Sequence, residues 1–169
     1  MTRYSRTALL VLLTGTAAAQ MAPAPAASPL KLVLTQALVQ TTTQGGKSTE
    51  TLLLQPTGVV PGAVLEQAVT ATNTLGKPMG NVAVNLPVPA GTRYLAALGS
   101  GAAKAVFSFD KGKTYGAAPL YRTVTVTENG KSVQKEVEVA PAEYTNVRWT
   151  VPQLAAGSSL KLGFRVRVN

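Results

Sequence analysis

The sequence contains neither cysteine nor histidine, and only 7 of its 169 residues are acidic. Without these two side chains there is no Ser-His-Asp or Cys-His nucleophile, no ordinary zinc site and no haem ligand of the usual kind. No disulfide can form, so stability must come from packing. The few acids are scattered, and no glycine-rich phosphate loop leads from a strand into a helix. The sequence therefore favours a binding or structural protein over an enzyme, and we predict no catalytic, cofactor-binding or metal-binding residues.

Aromatic residues are also scarce, at 5% of the chain, whereas basic residues are plentiful. The 16 lysines and arginines give a net charge of +9 and an isoelectric point near 10.1. Such a surface attracts anions, but surfaces that bind single-stranded nucleic acid usually interleave aromatic residues with the cations. That pattern is missing here. We therefore expect no nucleic-acid partner, and a core built largely from Val, Leu and Ala.

Residues 1–19 have the three parts of a secretory signal peptide. Arg3 and Arg6 precede a short apolar run, and small residues ending at Ala19 supply the cleavage site. The apolar run is too short to span a bilayer, which takes about 20 residues, so cleavage is favoured over a retained anchor. Residues 20–29 then form a Pro/Ala-rich linker, and the exported chain keeps 14 basic and 7 acidic residues, a net charge of +7. We expect an envelope location: periplasm, outer membrane or surface layer.

Residues 30–169 predict one all-β domain, because β-branched residues alternate with polar ones between Gly, Pro and Asn turns. Val64–Asn73 and Val82–Leu86 are two such strands, and the short turn between them favours a hairpin. The unbroken Leu32-Val33-Leu34 run in the first strand predicts burial on both faces. Since a lone hairpin is marginal in water, these strands predict a larger sheet around them.

The last two alternating runs, Tyr144–Val151 and Ser159–Val168, are joined by a short Pro/Gly turn and predict a second hairpin with Trp149 as a core anchor. If the two runs pair, four cations on their polar face form one basic stripe. That stripe is a candidate surface for acidic polysaccharide, lipid headgroups or an acidic protein, although a solvated basic face is equally compatible with the pattern. The four cations are Arg148, Lys161, Arg165 and Arg167.

Asn129-Gly130 lies between two further alternating runs and is the strongest short-range signal of a type I′ hairpin. Pairing Glu128 with Lys131 gives one valine-rich face and one polar face. The length of this hairpin predicts an arm that projects from the domain. Its apolar face is suited either to docking on another chain or to covering the domain's own core, and the sequence leaves both open. The candidate partner-binding valines are Val124, Val126, Val133 and Val137.

Several segments occur in the order of a known family. PG-x-V-L, V-T-A-T-N-T, N-V-A-V and LPVPAGT-x-Y-L are followed, after a long insert, by V-R-W-T-V-P-Q-L-A-A-G-S and L-G-F-R-V-R-V. This order resembles the bacterial conserved-repeat surface domain, domain of unknown function number eleven, over residues 61–169. The resemblance implies an immunoglobulin-like antiparallel β-sandwich on a secreted or envelope protein. Asn85 stands where the family commonly has an Asp, so no role of that carboxylate is carried over.

Two functions follow as hypotheses. Single-copy chains of this kind resemble small accessory proteins of surface layers, which implies a structural or protein-binding role with a surface-layer or outer-envelope protein as partner. The alternative is a copper-dependent, superoxide-dismutase-like envelope protein, because such enzymes are also secreted sandwiches. Lack of histidine disfavours it, since copper would depend on residues such as Met21, Met79, carboxylates, tyrosines or the N-terminal amine. No cofactor is predicted outside this alternative.

Cleavage after Ala19 gives the first testable expectation. We expect the protein isolated from the envelope to begin at Gln20, because the signal-peptide pattern ends there. Intact-mass and N-terminal sequence analysis measure this directly. A chain that retains Met1 in the envelope would instead support an uncleaved anchor.

Overall fold

The computed structural model describes residues 28–99 and 101–169. The predicted signal peptide and most of the predicted linker lie outside the described residues. Within the described ranges, no helix is long and apolar enough to cross a membrane. The described chain is built from strands and one 3-10 turn at Pro141–Glu143. The strands are β1 (Leu30–Gln44), β2 (Lys47–Leu54), β3 (Val64–Asn73), β4 (Met79–Pro87), β5 (Thr92–Ala97), β6 (Lys104–Ser108), β7 (Leu120–Glu128), β8 (Lys131–Val139), β9 (Asn146–Leu154) and β10 (Ser159–Val168).

The strands form two packed sheets and a separate hairpin. The larger sheet has the order β2-β1-β3-β10-β5, the smaller one the order β4-β9-β6, and β7 pairs with β8. Every pairing is antiparallel. The predicted all-β antiparallel sandwich with a hairpin arm is therefore confirmed.

The order of the core strands can be compared with that of immunoglobulin constant domains. Without β2 and the hairpin, the sheets hold four and three strands, as in those domains. Numbered along the chain, the seven core strands lie in the orders 1-2-7-4 and 3-6-5 here. The corresponding orders of an immunoglobulin constant domain are 1-2-5-4 and 3-6-7. The positions are thus shared, but the fifth and seventh strands exchange places.

Between the sheets lies an aromatic and aliphatic core. Trp149 from the smaller sheet stacks on Phe164 from the larger one, with ring centroids 6.2 Å apart, and both side chains are fully buried. Tyr94 packs edge-on against Phe107 and beside Tyr144. Burial raises the pKa of Tyr94 to about 12. The expectation that Trp149 anchors the core is confirmed.

Two of the predicted hairpins, the one between Val64–Asn73 and Val82–Leu86 and the one between Tyr144–Val151 and Ser159–Val168, do not form. β3 and β10 lie in the larger sheet, whereas β4 and β9 lie in the smaller one. The short segments that follow β3 and β9 therefore cross from one sheet to the other. A strand with alternating residues can bury its apolar face in two ways. The next strand in sequence either pairs with it in the same sheet or lies in the sheet packed against it. The pattern therefore did not distinguish a hairpin from a crossover.

Both crossovers are held by one buried side chain, Asn73, at the end of β3. Its Nδ2 donates to the carbonyl oxygens of Lys77 at 2.8 Å, Leu154 at 3.1 Å and Ala155 at 3.1 Å. Its Oδ1 accepts from the Leu75 backbone N–H at 2.9 Å. A buried amide with this many partners fixes the backbone around it, because each partner would otherwise lose its hydrogen bond away from water. Asn73 thus joins the segments that follow β3 and β9, two of the points where the chain changes sheet.

The predicted burial of Leu32-Val33-Leu34 on both faces is wrong. The three side chains are 53%, 43% and 61% exposed. The smaller sheet has three strands and the larger one five, so it leaves part of the larger sheet uncovered. β1 lies toward that uncovered side, next to the edge strand β2.

Replacement of Asn73 tests its structural role. We expect Asn73→Ala to lower the free energy of unfolding by about 2 to 4 kcal/mol, because it removes four hydrogen bonds and leaves the buried carbonyl of Leu154 without this donor. Urea unfolding followed by tryptophan fluorescence measures the loss, since Trp149 is the single tryptophan.

The neighbouring exposed residue supplies the control. Thr74→Ala removes one exposed hydroxyl hydrogen bond to Ser28 from the same crossover, and we expect a loss below about 1 kcal/mol. Equal losses for the two variants would show that Asn73 has no special part in holding the crossovers.

Candidate functional site

The β7–β8 hairpin forms with the predicted register. Glu128 lies opposite Lys131, and Val126 lies opposite Val133. Asn129 and Gly130 have φ values of 51° and 74°, the positive pair that a type I′ turn requires. This register places the four candidate valines on one face of the hairpin.

The valine face begins in the core and continues outward along the arm. At the base, Leu120 lies opposite Val139 on the same face, and both side chains are buried. Farther out, Val133 and Val137 are 38% and 40% exposed. Val124 and Val126 are half-buried. The base of this face thus belongs to the core, whereas its outer valines keep solvent contact.

Charged contacts stabilise the arm at its base and along its length. Arg122 near the start of β7 pairs with Glu143 of the 3-10 turn, with Nη1 and Oε2 2.6 Å apart. Lys135 pairs with Glu128 on the valine face. Exposed pairs of this kind each contribute little, roughly 0.2 to 1 kcal/mol. The Arg122–Glu143 pair nevertheless favours one orientation of the arm relative to the turn beneath it.

The predicted basic stripe of four cations is wrong. Arg148 lies on β9 in the smaller sheet, whereas Lys161, Arg165 and Arg167 lie on β10 in the larger sheet. The two strands do not pair, because the chain crosses between sheets after β9. Arg148 instead stacks over the ring of Tyr115, 3.6 Å from its centroid.

Two of the β10 cations are neutralised within the protein. Lys161 Nζ lies 2.9 Å from Oε1 of Glu66, a buried carboxylate on the neighbouring strand β3. Arg165 donates both terminal nitrogens to Glu50 on β2, at 3.0 and 2.7 Å, and its Nε lies 3.8 Å from Glu66. The hydrogen bonds with Arg165 lower the pKa of Glu50, and they raise the pKa of Arg165.

The bidentate contact between Glu50 and Arg165 was missed by sequence reasoning. The two residues are 115 positions apart, and no local pattern links them. Arg167 differs from its neighbours, because the residue opposite it on β5 is another cation, Arg93. Of the predicted stripe, Arg167 is therefore the residue whose surroundings are most basic.

Asp110, in the loop that follows β6, is the carboxylate whose pKa is shifted most strongly. Asp110 accepts hydrogen bonds from the hydroxyl groups of Ser108 and Thr114 and from the backbone N–H groups of Lys113 and Thr114. These bonds hold the pKa of Asp110 well below its usual range, chiefly through Thr114. Asp110 thus organises its own turn.

Carboxylates and Met79 are among the residues named for the copper alternative. Across the two described ranges, no three Asp or Glu side chains come together in a group able to hold a metal ion. Met79 is half-buried at the start of β4, opposite Leu154. Met21 lies outside the described residues.

The fold is an antiparallel β-sandwich with a projecting hairpin, and the exposed valines of this hairpin lie on one of its faces. Comparisons with protein-family models, with curated proteins and with solved structures find no match. The resemblance to the conserved-repeat surface domain therefore stays a prediction from sequence.

Stability as a function of pH tests the Glu50–Arg165 contact. Because the folded-state pKa of Glu50 is lowered, its contribution is fully present above the unfolded value of 4.5 and is lost as pH falls through the folded value. We expect Glu50→Gln to lower the melting temperature at neutral pH, and the difference from the unmodified protein to vanish in acid. Thermal unfolding across a pH series measures this.

Glu136→Gln is the matched control, because it makes the same change of charge at an exposed position on the arm. We expect a much smaller dependence on pH for this variant. If both variants respond alike, the effect comes from net charge and not from the bidentate contact.

Proposed function

We propose that this protein is an exported accessory protein of the cell envelope or surface layer, with a structural, protein-binding role. The signal-peptide pattern and the resemblance to a surface domain family support export and location. The projecting arm supports the binding role. The partner that fits best is a surface-layer or outer-envelope protein with an exposed apolar strip.

The observation that carries this proposal is the uncovered valine face of the β7–β8 arm. Two valines there keep about two fifths of their surface exposed although they lie on a regular hairpin. Apolar surface of this kind is stabilised when a partner removes it from water. The arm is also a two-stranded ribbon with a defined register, so little conformational entropy is lost when it docks.

Acidic polysaccharide and lipid headgroups are secondary partners in this proposal. A net charge of +7 after cleavage draws the protein toward anionic surfaces. However, Lys161 and Arg165 already contact carboxylates, and Arg148 lies on the other sheet. The positive charge therefore favours general attraction to the envelope over a specific site for one anion.

Extraction of native envelopes in mild detergent tests the proposal. Native gel electrophoresis and mass spectrometry of the band that contains this chain should show co-migration with a large envelope protein. Migration as a free monomer would refute the structural role. Copper near one atom per chain in that band, together with superoxide turnover, would instead favour the copper-dependent alternative.

Substitutions on the two faces of the arm test how the partner is bound. We expect Val126→Ser combined with Val133→Ser to weaken co-fractionation about tenfold, because each partly exposed valine contributes part of the roughly 1.5 kcal/mol of a fully buried one. Pull-down of the envelope partner by purified variants measures the change.

The opposite face supplies a matched pair. Thr125→Ser with Gln134→Ser alters two residues that also lie opposite one another, and it leaves the valines intact. We expect binding by this variant to stay within about twofold of the original, since exposed polar residues contribute little. Equal loss from both faces would mean that the valine face is not the contact surface.

A further inference from the structure

The first strand, β1, is paired on both sides over only part of its length. It pairs with β3 over Leu30–Leu38 and with β2 over Ala37–Gln44. In the described chain, residues 30–36 therefore have a strand partner on one side only. This stretch is an open edge at the side of the five-stranded sheet.

The direction of the backbone groups along this edge follows from one contact. The N–H of Gln55 donates to the carbonyl of Gln36 at 3.3 Å, so residue 36 faces the open side. Backbone groups alternate along a strand, and residues 30, 32 and 34 direct their N–H and C=O groups to the same side. These groups are available to a further strand.

The open edge is also apolar on both faces. Leu32 and Leu34 project from one face and Val33 from the other, and all three are substantially exposed. Natural edge strands are commonly protected by charges, prolines or bulges, but Lys31 is the one charged residue of residues 30–36. A pocket of about 230 Å³ at the corner where β2 ends is lined by Leu34, Thr35, Gln36, Leu54 and Gln55. An added strand would cover this corner.

We propose that a second copy of this chain pairs with the edge, β1 against β1 in antiparallel orientation, about a two-fold axis through Val33. Val33 is the middle residue of residues 30–36, and its exposed side chain then lies opposite its own copy. Leu32 lies opposite Leu34 of the second copy. These two residues, whose backbone groups face the open side, form hydrogen-bonded pairs, whereas Val33 meets Val33 in a non-hydrogen-bonded pair.

Side-chain chemistry favours the same arrangement. The leucines of the two copies extend one apolar strip across the axis, and Lys31 lies opposite Thr35, so no like charges meet in the pairing. A two-fold contact is self-limiting, because it covers both edges at once and does not propagate. Since the pairing uses no residue of the β7–β8 arm, it is independent of the proposed envelope role.

Cross-linking tests this pairing and its register. The chain has no cysteine, so Val33→Cys introduces a single thiol. In a non-hydrogen-bonded antiparallel pair the two Cα atoms lie about 4.5 Å apart, within disulfide range. We expect mild oxidation of the purified protein to give a covalent dimer that reductant reverses. Leu34→Cys is the control, because its nearest copy lies diagonally at about 7 to 8 Å and should cross-link far less.

Sedimentation analysis over a concentration series tests self-association without a cross-link. We expect a monomer–dimer equilibrium that Leu34→Lys weakens at least tenfold, since the lysine would face Leu32 of the second copy. Val60→Lys makes the same change at a residue that is 63% exposed but lies outside the edge, and it should leave the equilibrium unchanged.

Three results would overturn the proposal. The first is a protein that stays monomeric at every concentration and gives no cross-link through Val33→Cys. An edge that instead binds a strand of another protein would give this result. Another is stronger cross-linking through Leu34→Cys than through Val33→Cys, which would refute the register. Equal weakening by Leu34→Lys and Val60→Lys would remove the edge as the contact. Because these measurements use the purified chain alone, they are separate from the envelope-binding test.

Discussion

The buried amide of Asn73 is the interaction on which the sandwich depends. It donates to the crossover that follows β3 and to the crossover that follows β9, two of the points where the chain passes between sheets. A side chain with both donor and acceptor groups can satisfy carbonyl and N–H groups together, which no apolar residue of similar size can do. The stacked rings of Trp149 and Phe164 fill space between the two sheets.

Unequal sheets determine which surfaces remain for binding. Five strands pack against three, and the β7–β8 hairpin belongs to neither sheet. Apolar side chains that alternate inward on a strand are covered only where the opposite sheet reaches them, so the valines of the arm and the leucines of β1 keep solvent contact. Both surfaces are formed by regular strands with defined registers. They are therefore suited to ordered assembly more than to the capture of small molecules.

The cations of β10 fall into two groups according to the charges they contact. Lys161 and Arg165 contact Glu66 and Glu50 and stabilise the larger sheet, whereas Arg167 lies beside Arg93 and adds to the net positive surface. A sequence count treats all of them alike, because ion pairs between distant strands exist only after the strands are placed. The net charge thus supports general attraction to anionic surfaces more than a specific site for one anion.

Local sequence patterns were enough to predict the class of fold, the bounds of Val64–Asn73, the buried Trp149 and the register of the β7–β8 hairpin, because alternation and an Asn-Gly turn act over a few neighbouring residues. The choice of strands that share a sheet depends instead on contacts between distant parts of the chain. Alternation fixes which face is buried but not what buries it, so Arg148 could not be assigned to the sheet opposite Arg165. For the same reason Leu32-Val33-Leu34 indicated a buried strand, while the width of the opposing sheet left it exposed.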